Sequence, residues 1–283
     1  MDARPSFDAY APREIAERLA ELSVAKTRTP FVPLVMLGIL AGGFIGLGGL
    51  FSVIVFSDSF LSFAASRLLG GAVFSMGLLL VVVAGAELFT GNNLLAMGWA
   101  DGRVTTREVL RNWVVVCASN FVGAAGLAAI VFLSGHAEMN SGAIGRTYLQ
   151  VAAAKMALPF WTAFFRGVLC NALVCMAVWM TLAGRSVVDK FFAVLLPVAA
   201  FVAAGFEHSI ANMYLLTVAM MLQASAGEAV NWLGLVRNLV PVILGNIVGG
   251  SVLVALVYYM IYRRRQPAAV AAVAPPAETA RRA

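Results

Sequence analysis

The chain has 283 residues and a mass of 29.9 kDa, with 61% apolar residues, 12% charged residues and a mean hydropathy of +0.88. An ordinary soluble domain carries about a quarter charged and about half apolar residues, which excludes a soluble enzyme, a disordered protein and a nucleic-acid binder and leaves a polytopic membrane protein. Twenty Lys and Arg against fourteen Asp and Glu give a net charge of +6, an excess that the topology below explains without a nucleic-acid partner.

Residues 1–30 alternate acids (Asp2, Asp8, Glu14, Glu17, Glu21) with Arg13, Arg18 and Lys26, and hold no apolar stretch before Thr29-Pro30. That pattern fits neither a signal peptide nor an acid-poor transit peptide. Ile15, Leu19 and Leu22 at helical spacing predict a short amphipathic helix over 12–26, lying on the membrane surface or against the bundle.

A bilayer core of about 30 Å takes about 20 apolar helical residues. Six runs qualify: 31–56, 68–99, 110–134, 156–183, 191–223 and 239–262. The second and fifth are too long for one straight span and carry Glu87 and Glu207 in mid-run. Each is expected to be a broken helix with a re-entrant piece, because irregular backbone at membrane depth survives only when buried in protein or lining a wet cavity. The Ala- and Pro-rich stretch from Gln266 reads as a disordered tail. The expected organisation is a cytoplasmic N-terminal segment over 1–30, a transmembrane channel domain over 31–265 and a cytoplasmic tail over 266–283.

Six spans put both termini on one side. That side collects 15 Lys and Arg and the other only Arg67, Arg146 and Arg237, so both termini are expected in the cytoplasm. Cys117, Cys170 and Cys175 sit inside apolar runs without metal or redox spacing and read as small core residues.

The two interrupted runs share a pattern. Gly85-Ala-Glu87 precedes Asn92 and Gly205-Phe-Glu207 precedes Asn212; Arg111-Asn112 precedes Asn120-Phe-Val-Gly123, and Arg237-Asn238 precedes Asn246-Ile-Val-Gly249. Two matches in the same order indicate a duplication. Three spans per repeat force the halves into opposite orientations, the inverted-repeat plan of many transport proteins. Gly38, Gly42 and Gly46, and again Gly245 and Gly249, form small-residue ladders expected to pack helices closely.

Ionisable groups at membrane depth are candidates for function. His208 follows Glu207 at the second break and suits proton exchange near neutrality. Glu87 and Glu207 either contact substrate or, as favoured here, tie the broken backbone by accepting its amide hydrogens, and the two breaks are expected to share one cavity. Lys155, at the start of the fourth span, attracts anions or merely snorkels. Arg166 reads as a buried ion-pair or interface residue. Thr90, Asn92 and Asn93 offer donors at the first break, and Asn171 offers them in the fourth span. The Gly-rich stretch 41–49 lacks a phosphate-loop context. Neither a zinc-protease motif nor a nucleophile–base pair occurs, so no enzyme activity, cofactor or metal is expected.

Glu87-Leu-Phe-Thr-Gly-Asn92, the run 171–179, Gly205-Phe-Glu-His-Ser-Ile-Ala-Asn-Met213 and Gly245-Asn-Ile-Val-Gly-Gly250 resemble the formate/nitrite transporter family over roughly residues 7–265. The resemblance implies an all-α, aquaporin-like protomer with six transmembrane helices, helices 2 and 5 broken, in a homopentamer of the bacterial inner membrane. It implies that His208 is the central pore histidine, with Thr90 and Asn171 beside it and Lys155 as the vestibule lysine. Phe74, Leu78, Leu88, Phe89, Val174 and Phe201 match the apolar constrictions. The implied partners are formate, nitrite and protons, within a lipid bilayer. The branch features are mixed: 184–190 and 194–213 resemble the formate branch, while 154–159 with 164–167 and the short connection 224–238 look nearer the nitrite branch. A hydrosulfide channel of the same family and a neutral-solute pore are the alternatives.

Overall fold

The structure is a computed structural model that describes residues 8–264; the expected tail over 266–283 lies outside the described residues. All regular structure among these residues is helical. Helix α1 (Pro12–Thr27) starts with Pro12 at its first position, and the Glu14 carboxylate accepts the Ala11 N–H at 2.7 Å. It buries Ile15, Ala16, Leu19 and Ser23 against the membrane helices, so the bundle, and not the lipid surface, takes its apolar face. Leu22 falls outside that face and is exposed, contrary to the expectation that it would share it.

Among the described residues, five helices are long and apolar enough to cross a membrane, where six runs were expected: α2 (Phe31–Phe56), Phe63–Gly85, α6 (Thr106–Leu133), α8 (Phe160–Ala183) and Trp232–Tyr262. The second of these is α3 (Phe63–Leu80) extended by a wider π turn over Val81–Gly85. It is followed by the short α4 (Phe89–Asn92), a 3-10 turn and α5 (Ala96–Ala100). The run expected over 191–223 is two pieces of 17 residues each, α9 (Val187–Ala203) and α10 (Ser209–Ser225). Between the expected runs 110–134 and 156–183 the structure places a further helix, α7 (Ala143–Met156), burying Ile144, Tyr148 and Ala152 at a spacing of four. The last helix runs from α11 (Trp232–Ile247) through a π segment to α12 (Val257–Tyr262).

Polar caps set several helix starts. Thr105 Oγ1 accepts the Glu108 N–H at 3.2 Å while the Glu108 carboxylate accepts the Thr105 N–H at 2.7 Å, and Ser186 with Asp189 repeats the arrangement. Helix α2 packs against α3 and α6, and α8 packs against α9 and α11. The glycine ladders make these contacts close. A Cβ at Gly42 would strike the Asn120 carbonyl, one at Gly123 the Ile39 carbonyl, and one at Gly249 the Val168 carbonyl. Outward-facing Val114, Leu133, Phe192 and Leu196 are exposed, an apolar surface suited to lipid. The chain is an integral membrane protein.

Candidate functional site

Both breaks start at a glycine in the left-handed region, Gly85 at φ +85° and Gly205 at φ +71°, a conformation that costs a side-chain-bearing residue energy. The chain then runs extended through Ala86 and Leu88, and through His208. Extended backbone at this depth needs partners for its amides and carbonyls. At the first break the Glu87 N–H reaches the Leu37 carbonyl at 3.2 Å and the Phe89 N–H reaches Asn120 Oδ1 at 2.9 Å. Asn120 Nδ2 donates in turn to the carbonyls of Gly38 and Glu87. At the second, Glu207 N–H donates to Arg166 O at 3.2 Å, Ser209 N–H to Asn246 Oδ1 at 3.0 Å, and Asn246 Nδ2 to the carbonyls of Gly167 and Glu207. The repeat seen in the sequence therefore extends to individual hydrogen bonds.

The glutamates do different work from that expected. They do not catch the freed amides; Asn120 and Asn246 do. Glu87 Oε1 pairs with Lys26 Nζ at 2.8 Å and Oε2 accepts from Asn92 Nδ2 at 2.6 Å. Glu207 Oε1 pairs with Lys155 Nζ at 2.9 Å and Oε2 accepts from Asn212 Nδ2 at 2.7 Å. Asn112 and Asn238 close each cluster, accepting from Asn92 and Asn212 and donating to the carbonyls of Lys26 and Lys155. Lys155 sits in the last turn of α7, and not at the start of the fourth span as the sequence reading had it. Lys26 takes the same place in α1, a residue the sequence reading counted only as a topological charge. The signal was available: Lys26 and Lys155 each stand four residues before a proline, Pro30 and Pro159.

The matched segments differ at the residue after the glutamate. Leu88 follows the first glutamate and His208 the second. His208 is 2% exposed. The Ala211 N–H donates to its Nδ1 at 3.1 Å, and its Nε2 lies 3.0 Å from Thr90 Oγ1. Because Nδ1 is occupied as an acceptor, a neutral imidazole here carries its proton on Nε2 and donates it to Thr90. The ring stacks on Phe201 at a centroid distance of 5.8 Å, and Phe74 sits edge-on to both. Asn171 is fully buried, and its Nδ2 is spent on the Thr90 carbonyl, Asn93 Oδ1 and the Asn246 carbonyl. It ties the first break to α11 and lines neither cavity described below.

Each break contributes residues to a cavity of its own. One, of about 210 Å³, reaches Lys155, Glu207, Phe74, Phe201 and His208. The other, of about 540 Å³, reaches Lys26, Glu87, Leu78 and Leu88. The expectation that the breaks share one cavity fails for the glutamates, each of which lines the cavity of its own half; the breaks meet at the Thr90–His208 contact. Of the expected constriction residues, Phe89 and Val174 are buried and line neither cavity. Arg166 is exposed, lines the Lys155 cavity and makes no ion pair among the described residues, so of the two expected roles, buried ion pair or interface residue, the structure excludes the first.

A family model described as formate/nitrite transporter matches residues 13–260. The formate channel FocA of Escherichia coli (strain K12) is 38% identical over 280 residues, covering 93% of this chain and 98% of its own length. The formate channel FocB of the same strain is 35% identical, covering 89% and 94%. Among solved structures, a pentameric formate channel with formate bound superposes with a TM-score of 0.75 at 37% identity, over 82% of this chain and 97% of that one. An FNT family ion channel gives a TM-score of 0.79 at 29% identity, over 88% and 98%.

Proposed function

Because the chain belongs to the formate/nitrite transporter family, we propose that it carries small monovalent anions of weak acids, formate or nitrite, together with a proton, and that they cross the constriction as the neutral acid. It is a transport protein and not an enzyme. The protomer is six spans in two inverted halves, helices 2 and 5 broken, and five protomers assemble with a path in each; the duplicated hydrogen bonds and the likeness to a pentameric formate channel support this. The basic excess on the side of the termini supports a cytoplasmic Lys26 cavity and an outward Lys155 cavity in a bacterial inner membrane.

One observation carries the neutral-acid reading: Phe74, Phe201 and His208 pack ring against ring in the lining of the Lys155 cavity, and none of the three lines the Lys26 cavity. Desolvating a carboxylate-sized ion among such rings costs several kcal/mol even after relaxation. Protonating an acid of pKa near 4 at pH 7 costs roughly 4 kcal/mol, so neutralisation is the lower route. Each lysine is paired with a glutamate, and Nε2–H of His208 with Thr90 Oγ1 is the polar contact among the constriction residues.

Uptake into proteoliposomes with an internal pH dye tests this. Formate or nitrite entry should acidify the lumen, and His208→Phe should abolish the coupled signal while assembly persists. Unchanged coupled flux in that variant overturns the histidine's role. Parallel assays with hydrosulfide, water and glycerol separate the other branch and a neutral-solute pore.

A further inference from the structure

The two cavities differ in charge although the frame around them is duplicated. Leu37 and Arg166 hold equivalent places, their carbonyls accepting the Glu87 and Glu207 amides at 3.2 Å each. Each lines the cavity of its own half. The Lys26 cavity thus contains one lysine and one carboxylate, paired at 2.8 Å, and is formally neutral. The Lys155 cavity is lined by Arg67, Lys155 and Arg166 against Glu207 alone, a formal charge of +2.

Its three cations are not equivalent. Lys155 is neutralised by Glu207 at 2.9 Å, with both side chains largely buried. Arg67 gives Nη2 and Nε to the carbonyls of Val202 and Ala203, at 2.7 and 3.2 Å, at the end of α9. Arg166 is exposed, and its side chain makes no hydrogen bond or ion pair among the described residues. A free guanidinium offers a planar fork of donors that fits two oxygens of one anion, where an ammonium offers only a point charge.

Resting on the transport reading above, we propose that Arg166 is the residue that draws and selects anions in the Lys155 cavity. It binds small planar oxyanions through its guanidinium, while Lys155 stays engaged with Glu207. Two consequences follow from the geometry. Attraction is one-sided, because Leu37 replaces the arginine in the other half. It also favours anions with two oxygens on one centre over single-atom anions such as chloride.

The test uses the full chain in vesicles with Ala154→Cys, a position exposed on the same cavity. The rates of its modification by anionic and cationic methanethiosulfonates report the local potential, with the chain lacking Ala154→Cys as background. Arg166→Leu should lower the anionic-to-cationic rate ratio about tenfold, and Arg166→Lys should keep it; Arg166→Gln serves if the leucine variant does not assemble. Arg166→Leu should also raise the half-saturation concentration for formate several-fold from the Lys155 side and leave it unchanged from the other. Arg166→Lys should keep the potential but narrow the preference for formate over chloride. An unchanged rate ratio in both uncharged variants, or an unchanged half-saturation concentration, overturns the proposal. A wild-type protein that carries no formate or nitrite overturns the transport reading instead, and the thiol ratio still decides the role of Arg166.

Discussion

Thr90 and His208 are 118 residues apart in the chain, yet Thr90 Oγ1 lies 3.0 Å from His208 Nε2 in a buried contact. One belongs to the first break and the other to the second, so a hydrogen bond joins the two interrupted segments directly. The Ala211 N–H at Nδ1 fixes which ring nitrogen faces Thr90. A backbone amide thereby orients the imidazole, and the threonine receives the proton-bearing nitrogen.

Thr90→Val keeps the volume but removes the oxygen, leaving Nε2–H without an acceptor. An unsatisfied buried donor costs about 1–3 kcal/mol. The variant should melt several degrees lower in detergent and lose most of its proton-coupled uptake, and Thr90→Ser should restore both. Wild-type melting and flux in Thr90→Val would show that the contact contributes nothing.

The two lysine–glutamate pairs should respond unequally to neutralising the acid. Glu207 and Lys155 have side-chain exposures of 3% and 17%, against 10% and 31% for Glu87 and Lys26. Removing one partner of a well-buried pair costs about 3–5 kcal/mol because it leaves an uncompensated charge, and partial exposure reduces that cost. Glu207→Gln should therefore lower the melting temperature more than Glu87→Gln, and adding Lys155→Met should recover part of the loss. Equal shifts in the two single variants would contradict this ranking.

Five long apolar helices and the interruptions at Gly85 and Gly205 were legible because each rests on a local signal; the run expected over 191–223 is two helices of 17 residues each. Hydropathy marks the spans, and a glutamate in an apolar run with a glycine two residues earlier marks each break. Partnerships across the chain were not legible. Lys26 and Glu87 are 61 residues apart, and nothing in the periodicity of either segment points to the other. Assigning the freed amides to the glutamates followed charge alone; the asparagines prevail because one amide side chain both accepts an N–H and donates to a carbonyl, which a carboxylate cannot do. The family resemblance implied Phe89 and Val174 as constriction residues, but whether a buried apolar side chain faces a cavity or a neighbouring helix is decided by packing. Helix α7 escaped notice because its buried face is short, although Ile144, Tyr148 and Ala152 stand at helical spacing.

Asn246→Ala and Asn120→Ala test that division of labour. Each removes three hydrogen bonds, to Ser209, Gly167 and Glu207 in one case and to Phe89, Gly38 and Glu87 in the other. Each leaves extended backbone groups buried without partners, at about 1–3 kcal/mol apiece. Both variants should assemble poorly or melt well below wild type, with Asn246→Ala also disturbing Ser209 beside the histidine. Asparagine variants that fold and transport normally would mean that other groups hold the breaks.

The glycine ladders give the last contrast. At Gly42, Gly123 and Gly249 a methyl group would meet backbone carbonyls of the facing helix, which cannot rotate aside as a side chain would. Gly126, on the same helix as Gly123, has open space around its would-be Cβ. Overpacking a close contact costs about 1–3 kcal/mol, occasionally more, whereas Gly to Ala inside an exposed helix gains up to about 1 kcal/mol. Gly42→Ala, Gly123→Ala and Gly249→Ala should each lower the melting temperature, and Gly126→Ala should leave it unchanged or raise it. The four melting curves decide the matter: if Gly123→Ala and Gly126→Ala shift alike, helix propensity governs these positions and close backbone approach does not.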